Sequence, residues 1–203
     1  MRVEELAKAA NQHRGEAIIE AVDLSTVSLV DMPEGMRNRA DLYRYVVTIS
    51  RLIVKHKNDQ RIVVLHRNNK MLINFKVWGV MKYMVRDYVT NTMKAMMKPE
   101  FDEKIRFLDD ESDIMTAHRS KGIEGDTVIL LEVDPKTFPS SDGKNAFFAL
   151  FGDTPESHWE DEVHLYYVAL TRAKKNLYVL WGTYPHNPGD EPEFIKALEE
   201  TGL

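Results

Sequence analysis

Apolar residues recur along this chain at two different spacings. Leu42, Tyr45, Val46, Ile49, Leu52 and Ile53 follow one another at three- and four-residue steps, the spacing that lines one face of an α-helix. Asp41 supplies an acid for the first turn and Asn58-Asp59 closes the element. Arg61-Ile62-Val63-Val64-Leu65-His66 then brings together β-branched and apolar residues without alternation, which predicts a short strand buried on both faces. The same reading applies to Thr127–Val133, and Ser112–Thr116 and Leu177–Trp181 are further strand candidates. Other helices are predicted at 70–86 (Met71, Leu72, Phe75, Trp78), at 161–174 and, acidic and terminal, at 191–200. A short one is expected within 2–20 (Leu6, Ala9, Ala10), and Met93, Met96 and Met97 mark a partly apolar helix before Pro99. Residues 31–39 read as a loop, and 134–160, with Pro135, Pro139, Gly143, Gly152 and Pro155, as a long one holding a short helix at 147–151.

Strands that cannot be half-solvated, alternating with amphipathic helices, predict an α/β protein with a mostly parallel sheet covered by helices on both faces. Such sheets bind ligands beyond the carboxyl ends of their strands. Polar and basic residues concentrate at three places: His66-Arg67-Asn68, Thr116-Ala117-His118-Arg119-Ser120-Lys121-Gly122-Ile123-Glu124, and Leu170-Thr171-Arg172-Ala173-Lys174-Lys175.

Composition narrows the chemistry. The chain has 203 residues, 43% of them hydrophobic and 29% charged, enough for one sizeable core. It contains no cysteine, so disulfides, thiolate metal sites and cysteine nucleophiles are excluded together. A formal net charge of −5 removes any global basic field, and nucleic acid would have to be held by a local patch. Acids among the first five residues leave no signal-peptide core, and no apolar run approaches the roughly 20 residues that span a bilayer. The chain therefore reads as cytoplasmic, without a membrane partner.

Three segments carry a resemblance. Ile62-Val63-Val64-Leu65-His66-Arg67-Asn68-Asn69 resembles motif IV of the UvrD/Rep-type superfamily 1 DNA helicases. Thr116-x-His118-x-x-Lys121-Gly122-Ile123-Glu124 before an apolar strand resembles their motif V. Asp161-Glu162-x-x-Leu165-x-Tyr167-Val168-Ala169-Leu170-Thr171-Arg172-Ala173 resembles their motif VI. All three occur in the family's order, and Phe138-Pro139-Ser140 is similar to the group that includes DNA helicase IV. The resemblance implies a second RecA-like motor domain over residues 41–186, with 1–40 as a lead-in segment and 187–203 as an acidic tail helix.

In that family ATP lies between two RecA-like domains, and the first supplies the phosphate loop and the ligands of Mg2+. The resemblance assigns Arg67 and Arg172 to the γ-phosphate, where a guanidinium stabilises charge spread over the oxygens in transfer. It assigns Glu124 to the ribose, Gly122 to close backbone approach to the nucleotide, and His66 to the position of an adenine-stacking tyrosine. Thr116 and His118 match contacts to single-stranded DNA, and Arg119 and Lys121 extend the local basic patch. Taken singly, the same residues have plainer readings: Arg172 as a cation at a helix end, Arg67 and Glu124 as surface charges, His118 as a loop histidine.

The chain departs from the family at His66 in place of tyrosine, at His164 in place of arginine, and at Gly125 where an aromatic residue is frequent. The interval from Arg67 to Thr116 has no room for the large accessory domain often inserted there, which suits a compact variant or a piece of a longer protein. No G-x-x-x-x-G-K-S/T occurs, so ATP hydrolysis is expected only with a first motor domain, not from this chain alone. The competing readings are a stand-alone DNA- or protein-binding module derived from such a domain, and a small nucleotide enzyme of another class.

Overall fold

A computed structural model describes residues 18–30, 32, 40–56, 58–67, 114–131, 133, 154–182 and 195–197. The expected helices at 70–86 and around Met93–Met97, the short helix at 147–151 and the segment Phe138-Pro139-Ser140 lie outside the described residues. The described chain runs β1 (Ile18–Asp23), a 3-10 turn (Leu24–Thr26), α1 (Ala40–Lys55), β2 (Ile62–His66), β3 (Ile114–Thr116), β4 (Gly125–Leu130), α2 (Pro155–Leu170) and β5 (Ala173–Trp181).

The five strands form one sheet in the order β1-β5-β4-β2-β3, and every adjacent pair is parallel. Because side chains alternate across a strand, each strand feeds two cores. Ile62, Val64, Ile129, Leu131, Tyr178 and Leu180 point to one face, where Tyr45, Val46, Ile49, Leu52 and Ile53 of α1 cover them. Val63, Leu65, Met115, Val128, Leu130, Leu177 and Val179 point to the other, where Val163, Tyr166, Ala169 and Leu170 of α2 pack. All five residues of β2 are buried, which explains why that run shows no polar alternation. A parallel sheet sandwiched between helices is the α/β architecture expected from the strand and helix pattern, and it is consistent with the RecA-like fold that the resemblance implies.

Three elements differ from expectation. Residues 18–23 are a strand, not the end of a helix: Ile18 through Asp23 pair in register with Asn176 through Trp181. The sheet therefore draws on residues expected in the lead-in segment. The helix expected at 161–174 begins at Pro155, inside the expected long loop, and ends at Leu170. Ala173-Lys174-Lys175 consequently open β5 rather than closing a helix.

Between β3 and β4 the chain hops over β2, and only residues 117–124 make the crossing. His66 is level with Thr116 at the carboxyl edge, whereas Gly125 is level with Ala173 at the amino edge. The short crossover thus traverses the sheet from one edge to the other. It lies on the α2 face, where Ala117 is buried in the core and Ile123 packs against it.

The end of the crossover explains Gly125. A Cβ there would stand 2.9 Å from the Val63 Cγ2 and 3.0 Å from the Thr127 carbonyl oxygen. There is no space for the aromatic side chain frequent at this position. Gly125→Ala should destabilise the fold by about 1–3 kcal/mol, as overpacking does. A urea-unfolding midpoint equal to that of the parent would contradict this.

The opposite face is closed at its amino edge by a polar network. The His56 Nε2 is 2.8 Å from the Tyr178 hydroxyl, and its Nδ1 is 3.4 Å from Asp59 Oδ2. The buried Thr127 hydroxyl donates to the same Asp59 oxygen at 2.6 Å and accepts from Asn176 Nδ2 at 3.1 Å. Beside it, Asp126 Oδ2 accepts from the Gln60 and Arg61 amides, and Lys175 is 3.2 Å from its other oxygen. Burial opposes the Asp126 charge, but these donors outweigh it and hold its pKa below the ordinary carboxylate value.

Burial lowers the His56 pKa below its ordinary 6.5, and Lys55 adds to the effect against the opposing charge of Asp59. The unfolded chain therefore binds this proton more readily than the folded one. The corresponding stability is complete above pH 6.5 and is lost as pH falls through the lower folded value. Urea unfolding should show a fall in stability from pH 7.5 to 5.5 that is diminished in His56→Gln. An identical pH slope in both proteins would refute the assignment.

Candidate functional site

Apart from His66, the predicted site residues lie toward the two ends of one face. At the carboxyl edge, β2 delivers Arg67 and β3 delivers Thr116. The Ala117 amide donates to the His66 carbonyl at 2.8 Å, tying the start of the crossover to the end of β2. Arg67 follows the alternation of Val63 and Leu65 toward the α2 face, where Glu162 meets it. The Arg67 Nε donates to Glu162 Oε2 at 2.7 Å, and its Nη2 donates to Oε1. This is a bidentate, charge-assisted pair. The Glu162 side chain is 5% exposed and that of Arg67 is 16% exposed.

His66 follows the opposite alternation and is buried. The ring expected to stack on adenine lies in the interior at the strand end.

The crossover itself is a chain of turns. The Thr116 carbonyl accepts from the Arg119 and Ser120 amides at 3.0 and 3.1 Å, and its hydroxyl accepts from Arg119 at 3.2 Å. The buried Ser120 hydroxyl donates to the Ala117 carbonyl at 2.7 Å. Those bonds turn the side chains of His118, Arg119 and Lys121 outward, and all three are exposed. Gly122 has φ +81°, a conformation other residues adopt only under strain, with open space where a Cβ would be. Its glycine is explained by the backbone turn.

At the amino edge, α2 ends and β5 begins. The Thr171 hydroxyl lies 3.1 Å from the Tyr167 and Val168 carbonyls, and the Arg172 Nε donates to the Val168 carbonyl at 2.9 Å. The Arg172 Nη2 donates to the Thr171 hydroxyl at 3.0 Å. The guanidinium thus folds back on the carboxyl end of its own helix, a favourable place for a cation. The Arg172 carbonyl accepts from the Gly125 amide at 3.0 Å, which brings Glu124 alongside. Glu124 is exposed and pairs with Lys174 at 3.2 Å.

The structure therefore brings Arg172 together with Glu124, and Arg67 with Thr116 and the start of the crossover. It does not bring Arg67 and Arg172 together. Glu162, the partner of Arg67, lies ten residues before Arg172, about 15 Å along a helix axis. The two arginines mark the ends of a seam between the crossover and α2. Glu162 was the residue that sequence reasoning passed over. Its signal was available: a carboxylate at an inward position of α2 demands a cation, and Arg67 is the cation at the nearest strand end.

Among the described residues, no three His, Asp or Glu side chains gather in a way that could hold a metal ion. No described helix is long and apolar enough to cross a membrane.

The two segments that form this seam fall within one known sequence family. The profile of the UvrD-like helicase C-terminal domain matches residues 81–184, more than half of the chain. The chain belongs to this family. The match covers the crossover, α2 and Arg172, while β2 and Arg67 precede it.

Two relatives are each named probable DNA helicase II homolog. That of Mycoplasma genitalium is 34% identical over 80 residues, covering 39% of this chain and 10% of that protein. That of Mycoplasma pneumoniae is 34% identical over 89 residues, covering 40% of this chain and 12% of that protein. The chain spans about a tenth of the length of these curated relatives. Among solved structures, the C-terminal domain of a possible DNA helicase from Lactobacillus plantarum WCFS1 aligns with 97% of this chain and 89% of its own. The TM-score of that alignment is 0.39 and the sequence identity 11%.

Proposed function

We propose that this chain is the second motor domain of an ATP-dependent DNA helicase or translocase. It forms one wall of an ATP cleft whose other wall, with the phosphate loop and the Mg2+ ligands, belongs to a first RecA-like domain. The observation that carries this reading is the juxtaposition of Glu124 and Arg172 at one sheet edge within the family match. A carboxylate able to accept from a ribose hydroxyl and a guanidinium able to meet a phosphate are thereby neighbours. Gly122 turns the crossover with no side chain in the way.

ATP supplies the phosphoryl group whose transfer drives the motor. Arg172 stabilises the charge of that transfer, whereas Arg67, on the same domain but at the opposite sheet edge, is not carried to the same phosphate by closure of the first domain. Domain closure is the step that brings the groups of the two domains to one ligand, as in other hinge-closing nucleotide enzymes. The exposed His118, Arg119 and Lys121 grip a single-stranded DNA backbone, and Thr116 anchors the turn that presents them. Such a grip is largely electrostatic and weakens steeply with salt. The protein acts in the cytoplasm.

One observation favours a second reading. Both arginines already have partners inside the chain, as they would in a binding or regulatory module without ATPase activity. The experiment that separates the two readings supplies a first RecA-like domain, fused or in trans, and measures ATP hydrolysis with and without single-stranded DNA. The motor reading expects DNA-stimulated turnover from the pair and none from this chain alone. DNA binding by this chain with no turnover in the pair would favour the module.

A further inference from the structure

Glu124 needs a direction as well as a place. Its side chain is 54% exposed, and a carboxylate that turns freely in water must lose that freedom before it accepts from a ribose. The strand beside it carries a feature that the function proposed above leaves unused. Gly125 pairs with Ala173 and Thr127 with Asn176, so one residue of β4, Asp126, faces two of β5, Lys174 and Lys175. This is a β-bulge, with the extra residue in β5, and bulges beside functional sites re-aim a side chain.

The two lysines of the bulge go to different acids. The Lys175 Nζ is 3.2 Å from Asp126 Oδ1 and 3.9 Å from Asp59 Oδ1. Both acids are anchored in turn, Asp126 by the Gln60 and Arg61 amides and Asp59 by the Thr127 hydroxyl. Lys174, its neighbour in the bulge, turns to the other acid, with its Nζ 3.2 Å from Glu124 Oε2. Glu124 Oε1 has no partner among the described residues. The backbone next to Glu124 is fixed as well, because the Gly125 amide donates to the Arg172 carbonyl. One end of the residue is held by β5 and one carboxylate oxygen by Lys174, so the free oxygen is confined beside Arg172.

A stabilising role explains the Lys174 contact poorly. Both side chains are more than half exposed, and such pairs contribute little to folding. We infer that Lys174 is a positioning residue for Glu124, set by the β5 bulge to hold one carboxylate oxygen while the other accepts from a ribose hydroxyl of the nucleotide. The inference rests on the motor reading and adds a residue to it. Lys174 touches no substrate; it acts through the carboxylate.

The test joins this chain to a first motor domain and compares hydrolysis of ATP with that of dideoxy-ATP, which lacks both ribose hydroxyls. The parent should favour ATP in kcat/KM by about 10- to 100-fold, the scale of a hydrogen bond to a charged group. Lys174→Met should reduce that preference by about threefold or more, through a higher KM for ATP. Lys174→Arg should retain most of it, since a guanidinium can also hold a carboxylate oxygen. In a Glu124→Gln background, Lys174→Met should change the preference no further. A preference unaltered in Lys174→Met would overturn the inference. So would an equal loss for the two nucleotides, the mark of a lysine that meets the phosphates itself or merely shapes the strand. Glu124→Gln separates the two levels. Absence of turnover from the joined parent, or an undiminished preference in Glu124→Gln, sinks the motor reading of this edge. A preference lost in Glu124→Gln and kept in Lys174→Met sinks only the role of Lys174.

Discussion

Arg172→Ala, in this chain joined to a first RecA-like domain, is expected to reduce DNA-stimulated ATP hydrolysis on the order of 10³–10⁵-fold. The size follows from what the side chain is asked to do. In phosphoryl transfer there is little covalent work for the protein, and a positioned guanidinium offsets charge on the transferring oxygens in a site without competing water. Arg172 lies in the turn between α2 and β5, beside Glu124, at a backbone bond between Arg172 and Gly125. The fold should survive its removal. The substitution deletes a bond to the Val168 carbonyl at a half-exposed helix end, worth about 0.5–1.5 kcal/mol. Arg172→Lys should not restore the rate, because an ammonium offers a point charge and no fork. Kinetics and circular dichroism on the same preparations decide the matter. Undiminished turnover in a folded Arg172→Ala protein would leave Arg172 as the helix-end cation seen here and nothing more.

The sheet was legible in the sequence wherever a strand is buried on both faces. Ile62–His66 and the run after Gly125 are continuous apolar segments because helices cover both sides of them, and their length distinguishes them from helices. The edge strand β1 was not legible. Ile18 is exposed and only Ile19 is fully buried, so Ile18–Asp23 carries neither a buried run nor a clean alternation. Its strand state comes from pairing with β5, a partner more than 150 residues away. The limits of α2 were missed for a local reason. The prolines and glycines of 134–160 read as loop, yet Pro155 is the first residue of the helix, where a missing N–H costs nothing. At the other end, Thr171 and Arg172 satisfy the last carbonyls with their side chains and stop the helix without a glycine.

Within the site, identity was easier to read than placement. The resemblance marked Arg67, Glu124 and Arg172, but parallel register decides which of them are neighbours. Thr116 and Gly125 are close in sequence and stand at opposite edges, because residues 117–124 cross the sheet between them. Glu124 and Arg172, far apart in sequence, stand side by side. The orientation of His66 was equally hidden, since one step along β2 changes the face.

Glu162→Ala is expected to cost about 3–5 kcal/mol of folding stability in this chain, the range for stranding a buried charge. The truncation leaves the Arg67 guanidinium, 16% exposed, without the carboxylate that accepts from its Nε and Nη2. A cavity on the α2 face adds to the loss. The companion double substitution Arg67→Met with Glu162→Leu removes both charges and restores apolar volume. It should unfold at a urea concentration equal to or above that of the parent, because neither charge then has to be desolvated. The two results together separate stability from use. Equal losses in the single and double variants would mean that the pair itself holds β2 to α2. A stable double variant that has lost turnover beside a first motor domain would mean the opposite. The ion pair would then serve turnover rather than the stability of the fold.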